Sequence, residues 1–550
     1  MKNQISINQF GYPKLGAKQA FLSGETDAFS LIDSVNNEAV FAGKAAPTKL
    51  IQAWGERITM LDFTAVTLSG SFFLSANSGG QTLRSGVFDI ATNPFAALTD
   101  GIERAIFANR CGFNTADENN PHPHAACHKK VTTAENAGRD RHIFMLTGET
   151  EGHTDFSGGY HDTAEYSRNV YLHAVSLAAF IYSITVNENR YATFKLYGLP
   201  ADNINITESI VNEIKYGLNW LLKMQDKDGG VFAGIKTFEQ TDIIAPEDDP
   251  AEYELLGKSV YATVAFAGVT ALASWLFRKT DEKFAERLKD ASIRAWIHFA
   301  EYDASHVIDF EAEAKTAVSG LCYQGTCDFD GVRFWALCEL YALTGSEDFL
   351  EGAKESIPAD ICSFSPDNAA GFGLLSVFLH PDGGDLELRR KIMFALRVKA
   401  DNLTSISEKS FITMEDFGAC SNMKIMSDSL TLFAAAMILK YPEFRIIARR
   451  NLNYILGANP LNKCFVTGFG QNPVRRPRHT LSAVHPDIPP LAGMAVCGAN
   501  NDRLFDNYLK WQLPRGTPPA KSYGDAPSSL TTNAVSMPAT ALLYFLITIV

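Results

Sequence analysis

The chain has 550 residues, of which 46% are hydrophobic and 20% charged, and its formal net charge at pH 7 is −13. This length exceeds one small domain and predicts two or three compact units. The 37 Phe, 18 Tyr and 6 Trp residues exclude intrinsic disorder as the main state. An acidic surface repels phosphate backbones, which makes nucleic acid a poor partner and favours a neutral or cationic ligand.

The two chain ends and the cysteines indicate whether the protein is expected to be secreted, membrane-bound or cytoplasmic. The N-terminal sequence lacks the apolar run of a secretory signal. The apolar C-terminal run ALLYFLITIV has ten residues, too few to span a bilayer. If Met1 is the natural start, we expect a cytoplasmic protein. Nine irregularly spaced cysteines argue against a secreted disulfide scaffold.

Short apolar runs separated by Gly, Asn, Asp and Ser characterise the first part of the chain. Such runs are typical of short strands joined by turns, and they favour a small antiparallel sandwich. They comprise residues 19–22, 30–32, 58–61, 71–74 and 85–90. Pro94 follows the last run, so we place the end of this domain at residue 92.

From about residue 95 the apolar pattern becomes helical. In one such segment Ile210, Ile214, Leu218 and Leu221 recur at helical spacing. Further helices are predicted over residues 170–184, 262–276, 284–299, 334–343, 386–398, 430–439 and 444–456. Most are followed by loops rich in Gly, Pro, Asn or Asp, and this outline favours a toroid of helical hairpins.

Two acidic residues, Asp162 and Glu165, follow the glycines Gly158 and Gly159. Residues three apart at the start of a helix share a face, so both carboxylates could point into one cleft. Neighbouring carboxylates raise each other's pKa, which suits a general base near neutral pH. The alternative is a structural role, with Asp162 as a helix N-cap and Glu165 as its capping-box partner.

Two polar loops carry further candidate residues. The first, residues 463–479, follows a helix that is expected to end at Gly457, and the second runs from Ser522 to Val535 into the last helix. Long polar loops at helix ends commonly hold binding residues. We therefore expect both loops to contribute to a site.

Together these motifs resemble glycoside hydrolase family 9, in the subgroup with an N-terminal immunoglobulin-like domain. The family's G-G-W-x-D-A-G-D-Y is similar to residues 158–166, and its F-V-T-G-Y-G-x-N-P with P-H-H-R is similar to residues 465–480. Its Y-x-D and T-N-E-V are similar to residues 523–525 and 532–535. The resemblance implies a mainly α fold, an (α/α)6-barrel catalytic domain over residues 93–550 preceded by an immunoglobulin-like β-sandwich over 1–92.

The resemblance also implies inverting hydrolysis, in which a base activates water and an acid protonates the leaving oxygen. The base belongs to the pair Asp162 and Glu165, where Glu165 replaces the family's second Asp. The family's Glu acid matches Ala534, which cannot donate a proton. We interpret Ala534 as a deliberate Glu-to-Ala inactivation, with a natural sugar-binding protein as the alternative. The substrate-binding positions that the motifs imply are Tyr160, His161, Arg478, His479, Tyr523 and Asp525.

A structural zinc in some family members is held by residues that match Cys111, Cys127 and His128. The resemblance assigns the fourth ligand to the position of Arg168, which cannot bind zinc. We therefore predict no metal and no cofactor. A Cys111–Cys127 disulfide or two thiols are the alternatives.

The substrate prediction rests on departures from the glucan-cleaving pattern at Glu165, Arg478 and Thr480. We predict an exo-β-glucosaminidase that releases glucosamine from chitosan oligosaccharides, because a carboxylate can pair with the ammonium of an amino sugar. The alternatives are a β-glucosidase or cellobiase acting on cello-oligosaccharides, and a non-catalytic sugar-binding protein. No membrane partner is expected, and a homodimer is a further hypothesis.

Overall fold

The computed structural model describes residues 3–129, 131, 155–161, 165–186, 210–237, 243–305, 308 and 327–549. The N-terminal part is a β-sandwich and the remainder is helical. The described parts of the predicted site motifs lie in loops between the helices or just before them.

The sandwich consists of two sheets. Its strands are β1 Ile5–Ser6, β2 Tyr12–Pro13, β3 Gln19–Ser23, β4 Ala28–Asp33, β5 Ala39–Lys44, β6 Lys49–Ile51, β7 Glu56–Asp62, β8 Gly70–Ser78, β9 Gln81–Arg84 and β10 Phe88–Ala91. One sheet has the order β1-β3-β7-β6, and the other has the order β2-β10-β8-β4-β5 with β9 paired to β8. Alternate residues such as Phe29 and Leu31 point into the core, as the twofold period of a strand requires.

Between the helices, the short strands β11 Arg168–Asn169, β12 Gly234–Lys236 and β13 Glu254–Leu255 form a small antiparallel sheet. The helices are α1 Ala96–Ala108, α2 Val170–Thr185, α3 Ile210–Lys223, α4 Val260–Phe277, α5 Glu282–Ser305, α6 Phe329–Thr344, α7 Glu347–Glu355, α8 Ala370–Leu379, α9 Leu386–Ser410, α10 Ser421–Leu439, α11 Glu443–Ile455, α12 Thr480–Ala483, α13 Asn507–Gln512, α14 Leu530–Asn533 and α15 Met537–Ile549.

Six of the described helices form a closed inner ring in which each contacts the next: α2, α4, α6, α8, α10 and α15. The helices α1, α3, α5, α7, α9 and α11 pack outside this ring. Two concentric rings of helices make the (α/α)6 barrel, so the predicted fold class is confirmed.

The inner helices are apolar on nearly every side because they have neighbours on every side. Every residue of α2 except the last is buried. The helix α4 has the length and apolar composition of a membrane span, but 94% of that stretch is buried inside the protein. Its hydrophobicity is thus explained by packing in the barrel.

A buried carboxylate links three inner helices. Glu339 of α6 accepts hydrogen bonds from the Tyr182 hydroxyl of α2 at 2.6 Å, from the Trp335 indole at 3.1 Å and from the Ser376 hydroxyl of α8 at 3.0 Å. A buried charge with this many donors is well solvated by the protein. We infer that this network fixes the relative rotation of the three helices.

The sandwich contacts the helical domain through both polar and aromatic groups. The Gln9 side-chain oxygen accepts the backbone N–H groups of Gln471 at 2.7 Å and Asn472 at 2.9 Å. The Trp54 ring packs on Tyr454, with ring centroids 6.1 Å apart. The two domains therefore share a packed interface, and the sandwich supports the loop that begins at residue 463.

One helix is much longer than its sequence pattern predicts. The prediction for α9 ends at residue 398, whereas the helix continues to Ser410. Its second half is polar and buries only Ala400, Leu403, Ser407 and Ser410. Such a narrow contact face gives a weak periodic signal, which is why the sequence alone misses it.

Candidate functional site

The backbone at position 534, where the resemblance places the acid, is held on both sides. Ala534 is buried and extended, directly after α14. Its carbonyl accepts the N–H of Cys497 at 3.1 Å, and the carbonyl of Asn533 accepts the N–H of Arg478 at 2.9 Å. These hydrogen bonds therefore fix the direction of the Cα–Cβ bond at position 534, but the methyl group of alanine has no proton to donate.

Tyr523 and Asp525 support this loop. The Asp525 carboxylate accepts the Lys463 ammonium at 2.6 Å and the backbone N–H groups of Arg475 and Arg476 at 3.1 and 2.9 Å. The Tyr523 hydroxyl donates to the Asn533 side chain, and burial raises the pKa of this tyrosine. Both residues thus fix the chain around position 534, and their predicted contact with substrate stays a prediction.

Arg478 and His479 are neighbours in sequence but lie in different surroundings. The Arg478 side chain is exposed and donates to the carbonyl of Pro527 at 3.3 Å. His479 is buried between the Asn109 side-chain oxygen at 2.9 Å and the Ser482 hydroxyl at 2.8 Å. Burial lowers the pKa of His479 to about 3, so the ring is neutral at physiological pH. Arg478 is accordingly the one of the two that solvent, and a ligand, can reach.

The segment of residues 158–161, called the glycine motif below, packs against α3. Tyr160 is fully buried, and its hydroxyl donates to the Glu213 carbonyl at 2.6 Å and carboxylate at 3.0 Å. Gly159 has a φ of +73°, and a Cβ there would lie 2.7 Å from the Trp220 ring, so only glycine fits. A contact between the Tyr160 hydroxyl and a sugar would require this core to open.

Asp162 lies outside the described residues, and Glu165 is half-buried beyond it. Burial raises the pKa of Tyr253 most, and the carboxylate of the nearby Asp249 raises it further. The charge of Glu165 has a smaller effect in the same direction. Glu165 therefore lies on the side of the site where the loop of residues 243–253 passes. The division of roles between Asp162 and Glu165 stays a prediction.

Asn109 joins the two predicted motifs. Its carbonyl accepts the N–H of His161 at 2.8 Å, and its side-chain oxygen contacts His479. His161, His479 and Asn109 line a cavity of about 30 Å³ together with Val535. Sequence analysis did not identify Asn109, because nothing in its local sequence indicates that it lies between two distant loops.

Four side chains that could bind a metal converge beside this cavity: Cys111, Cys127, His128 and His161. The two sulfur atoms are 3.8 Å apart, Cys111 Sγ is 3.7 Å from His128 Nδ1, and Cys127 Sγ is 3.5 Å from His161 Nε2. Tetrahedral zinc bonds of about 2.0–2.3 Å separate neighbouring ligand atoms by roughly 3.3–3.8 Å. These two sulfur and two nitrogen donors therefore fit a structural zinc.

The surroundings of the cluster also favour a metal. Burial would raise the pKa of the Cys111 thiol, but the hydrogen bond from Cys127 and the charge of Arg168 hold it well below its usual value, whereas the same hydrogen bond raises the pKa of Cys127, so that the pair shares one proton. A thiolate is the form that binds zinc. On the far side, His128 Nε2 lies 3.4 Å from the Asp249 carboxylate, which leaves Nδ1 facing the cluster.

This arrangement corrects the expectation that Arg168 occupies the fourth ligand position. Arg168 is buried and donates to the carbonyls of Phe156 at 3.2 Å and Gly158 at 2.8 Å, so it holds the glycine motif. His161, predicted as a substrate-binding residue, supplies the fourth ligand atom. Cys111 and Cys127 are thiols rather than a disulfide. The prediction of no metal is therefore replaced by a ligand set that fits zinc.

Comparison with known proteins agrees with this architecture. Residues 98–547 match the model of glycosyl hydrolase family 9, and residues 1–81 match the cellulase N-terminal ig-like domain. A cellodextrinase of Butyrivibrio fibrisolvens is 27% identical, and the match covers 97% of both chains. A xyloglucan-specific endo-β-1,4-glucanase of Bacteroides ovatus is 26% identical over 97% of this chain and 91% of its own.

A solved structure shares the fold at similar identity. It is AaCel9A in complex with cellobiose-like isofagomine, with a TM-score of 0.83, 26% identity and coverage of 99% of each chain. The motifs, the barrel and the family match over most of the sequence lead to one conclusion: this chain belongs to glycosyl hydrolase family 9.

Proposed function

We propose that this protein acts on short β-1,4-linked glucans, with cello-oligosaccharides as the substrate class. The observation that carries the proposal is the end-to-end match to a cellodextrinase, over 97% of both chains. The xyloglucan-specific relative and the neighbour with a cellobiose-like ligand also concern β-glucans. These relatives favour the cello-oligosaccharide alternative over the chitosan prediction.

The chemistry in this proposal is inverting hydrolysis. Asp162 or Glu165 takes a proton from water, and the group at position 534 protonates the leaving oxygen. Since Ala534 has no proton to give, we propose that the chain with alanine cleaves unactivated oligosaccharides very slowly. The hydrogen bonds to Cys497 and Arg478 fix the backbone at this position, which supports the view that only the side chain is missing.

A zinc ion, when bound by Cys111, Cys127, His128 and His161, supplies structural cross-linking and no chemistry. The four residues join the end of α1, the loop of residues 124–129 and the glycine motif. His161 directly precedes Asp162 in the sequence. We therefore propose that these residues position the segment that carries the predicted base.

The test is to replace Ala534 by glutamate and to measure cleavage of cellotetraose and of chitosan disaccharide. We expect A534E to cleave cellotetraose, while the isosteric A534Q does not, because an amide cannot serve as a general acid. In the A534E background, D162A should lower the rate by about 10²–10⁴-fold. Preference for the chitosan disaccharide would restore the amino-sugar prediction.

The second candidate is a non-catalytic sugar-binding protein, and Ala534 is the observation that favours it. The two are separated by calorimetric titration of cellotetraose alongside the assay. A sugar-binding protein binds cellotetraose with alanine in place and gains no activity in A534E. Cytoplasmic location and a homodimer remain proposals that cell fractionation and light scattering would test.

A further inference from the structure

An open pocket in the segment of residues 501–517 has an unusual lining for such an acidic protein. Its volume is about 580 Å³. Its described lining contains three cationic residues, Arg503, Lys510 and Arg515, and no acidic residue. Trp511 and Leu504 supply its large apolar side chains, and the rest of the lining is Asn501, Gly516 and Thr517. The whole chain has a net charge of −13, so this local excess of positive charge is not a general property of the surface.

The pocket is built on a braced loop. Arg503 donates to the carbonyls of Leu513 at 3.1 Å and Pro514 at 2.7 Å, which closes the loop around the short helix α13. Asp506 caps α13 and also accepts the N–H of Thr531 at 2.8 Å. The backbone that carries the pocket is therefore held in place before any ligand arrives.

Two features point to the kind of ligand. Trp511 is 71% exposed and Leu504 is 76% exposed, although a tryptophan is usually among the more buried residues. The Lys510 ammonium lies 5.0 Å from the centre of the Trp511 ring. Among the described residues, neither Lys510 nor Arg515 has an ion-pair partner. A flat apolar face thus lies beside two cations, Lys510 and Arg515, for which the described part of the chain supplies no ion-paired anion.

This combination fits a sugar ring that carries a carboxylate. A pyranose presents an apolar C–H face that can stack on an indole, while its hydroxyls and substituents point outward. A carboxylate at the rim of the ring could accept charge-assisted hydrogen bonds from Arg515 and Lys510. A neutral sugar would leave both cations without a partner, and a bare inorganic anion would leave the indole uncovered.

We propose that this pocket binds a uronic acid residue of an acidic oligosaccharide. The pocket contains none of the residues predicted to act in hydrolysis, so this inference does not depend on the proposed function. Because Asp506 holds Thr531, the pocket is built on the same loop that leads to Ala534. Uronic acid binding here adds a recognition site for substituted glycans that is separate from the residues predicted to act in hydrolysis.

The experiment is a calorimetric titration of the full chain with two disaccharides of the same size. Cellobiouronic acid carries a carboxylate on its non-reducing ring, and cellobiose carries a hydroxymethyl group at the same place. We expect W511A to weaken binding of cellobiouronic acid by about tenfold or more. R515Q should weaken it by a smaller factor and reduce its dependence on salt.

The matched control is F394A, which removes another exposed aromatic side chain, 74% exposed, from the distant helix α9. F394A should leave binding of cellobiouronic acid unchanged. The free energy of unfolding of W511A and of F394A, measured with urea, serves as the folding control and should equal that of the unaltered chain.

Three outcomes would overturn the proposal. One is that cellobiouronic acid does not bind, or binds with the same affinity in W511A. Another is that R515Q and K510Q together leave the preference for cellobiouronic acid over cellobiose unchanged. The last is that acetate or inorganic phosphate displaces cellobiouronic acid with equal affinity, which would make the pocket a simple anion site.

Discussion

The glycine motif with Tyr160 and His161 and the loop with Ala534 meet at Asn109 and His479, yet they are stabilised by different chemistry. The first is held by side chains from distant parts of the sequence, namely the cysteine–histidine cluster and the Arg110–Glu213 pair. The second is held mostly by hydrogen bonds to its backbone: the Asp525 carboxylate accepts the N–H of Arg476, and the Asn533 amide and the Cys497 N–H donate to backbone carbonyls. A side chain can therefore be lost at position 534 without loss of the loop, whereas one lost ligand would loosen the glycine motif.

The largest expected effect concerns the loop of Ala534. If its backbone is already in place, A534E should raise the rate of cellotetraose cleavage by about 10²–10⁴-fold over the chain with alanine. A534Q is the matched control, since it has the same shape without the acid. The release of reducing sugar measures both. Equal rates for A534E and A534Q would contradict the view that only the acid is missing.

The same comparison predicts a dependence on the leaving group. A 2,4-dinitrophenolate departs without protonation, so the dinitrophenyl β-cellobioside should be cleaved even with Ala534, and A534E should accelerate it far less than cellotetraose. Absorbance of the released phenolate measures the rate. An equal gain on both substrates would show that glutamate acts by shaping the site rather than as an acid.

The glycine motif should be sensitive to loss of one metal ligand. C111S should abolish the binding of one zinc ion per chain. It should also lower the free energy of unfolding by about 3–4 kcal/mol when the free zinc concentration is 100–1,000 times the dissociation constant of the unaltered chain. Elemental analysis and denaturant unfolding measure these effects. C338S replaces another buried cysteine, in α6, and controls for burying a serine. A similar loss of stability in both variants, with zinc retained in C111S, would exclude the cluster as a zinc site.

The contact between the two regions should respond to pH. Burial lowers the pKa of His479 in the folded chain to about 3, from about 6.5 for an ordinary histidine, so below pH 6.5 the unfolded chain takes up a proton that the folded chain does not. Its contribution to stability is present above pH 6.5 and is lost as the pH falls, by about 2 kcal/mol between pH 6.5 and 5. Urea unfolding at several pH values, compared with H479Q, measures it. An identical pH profile for H479Q would contradict the assignment.

The smallest expected effect concerns the orientation of His128. The carboxylate of Asp249 lies beside Nε2 of His128, so D249N should weaken zinc affinity by about tenfold while leaving the ligand set intact. Competition with a chromogenic chelator measures the affinity. E247Q, in the same loop, is the control, because Glu247 contacts the N–H of Ala125 rather than a ligand. Equal affinities in D249N and the unaltered chain would show that the ring is held by packing alone.

The amino-acid sequence determined the fold class, because inner helices with apolar residues on all sides and strands with alternating burial leave strong periodic patterns. It also determined the family, through motifs whose residues are close together in the chain. It did not determine the full extent of α9, whose polar second half packs through few residues.

Only the tertiary structure decided which side chains meet. Cys111, Cys127 and His161 belong to three separate segments, so His161 can be recognised as a ligand only when the fold brings them within 4.8 Å of one another. The same holds for Asn109, for the partners of Asp525 and for the exposed Trp511 in a pocket lined by cationic side chains. The physical reason is that hydrogen bonds and metal coordination depend on distances of a few ångströms, which residue spacing along the chain does not fix across long loops.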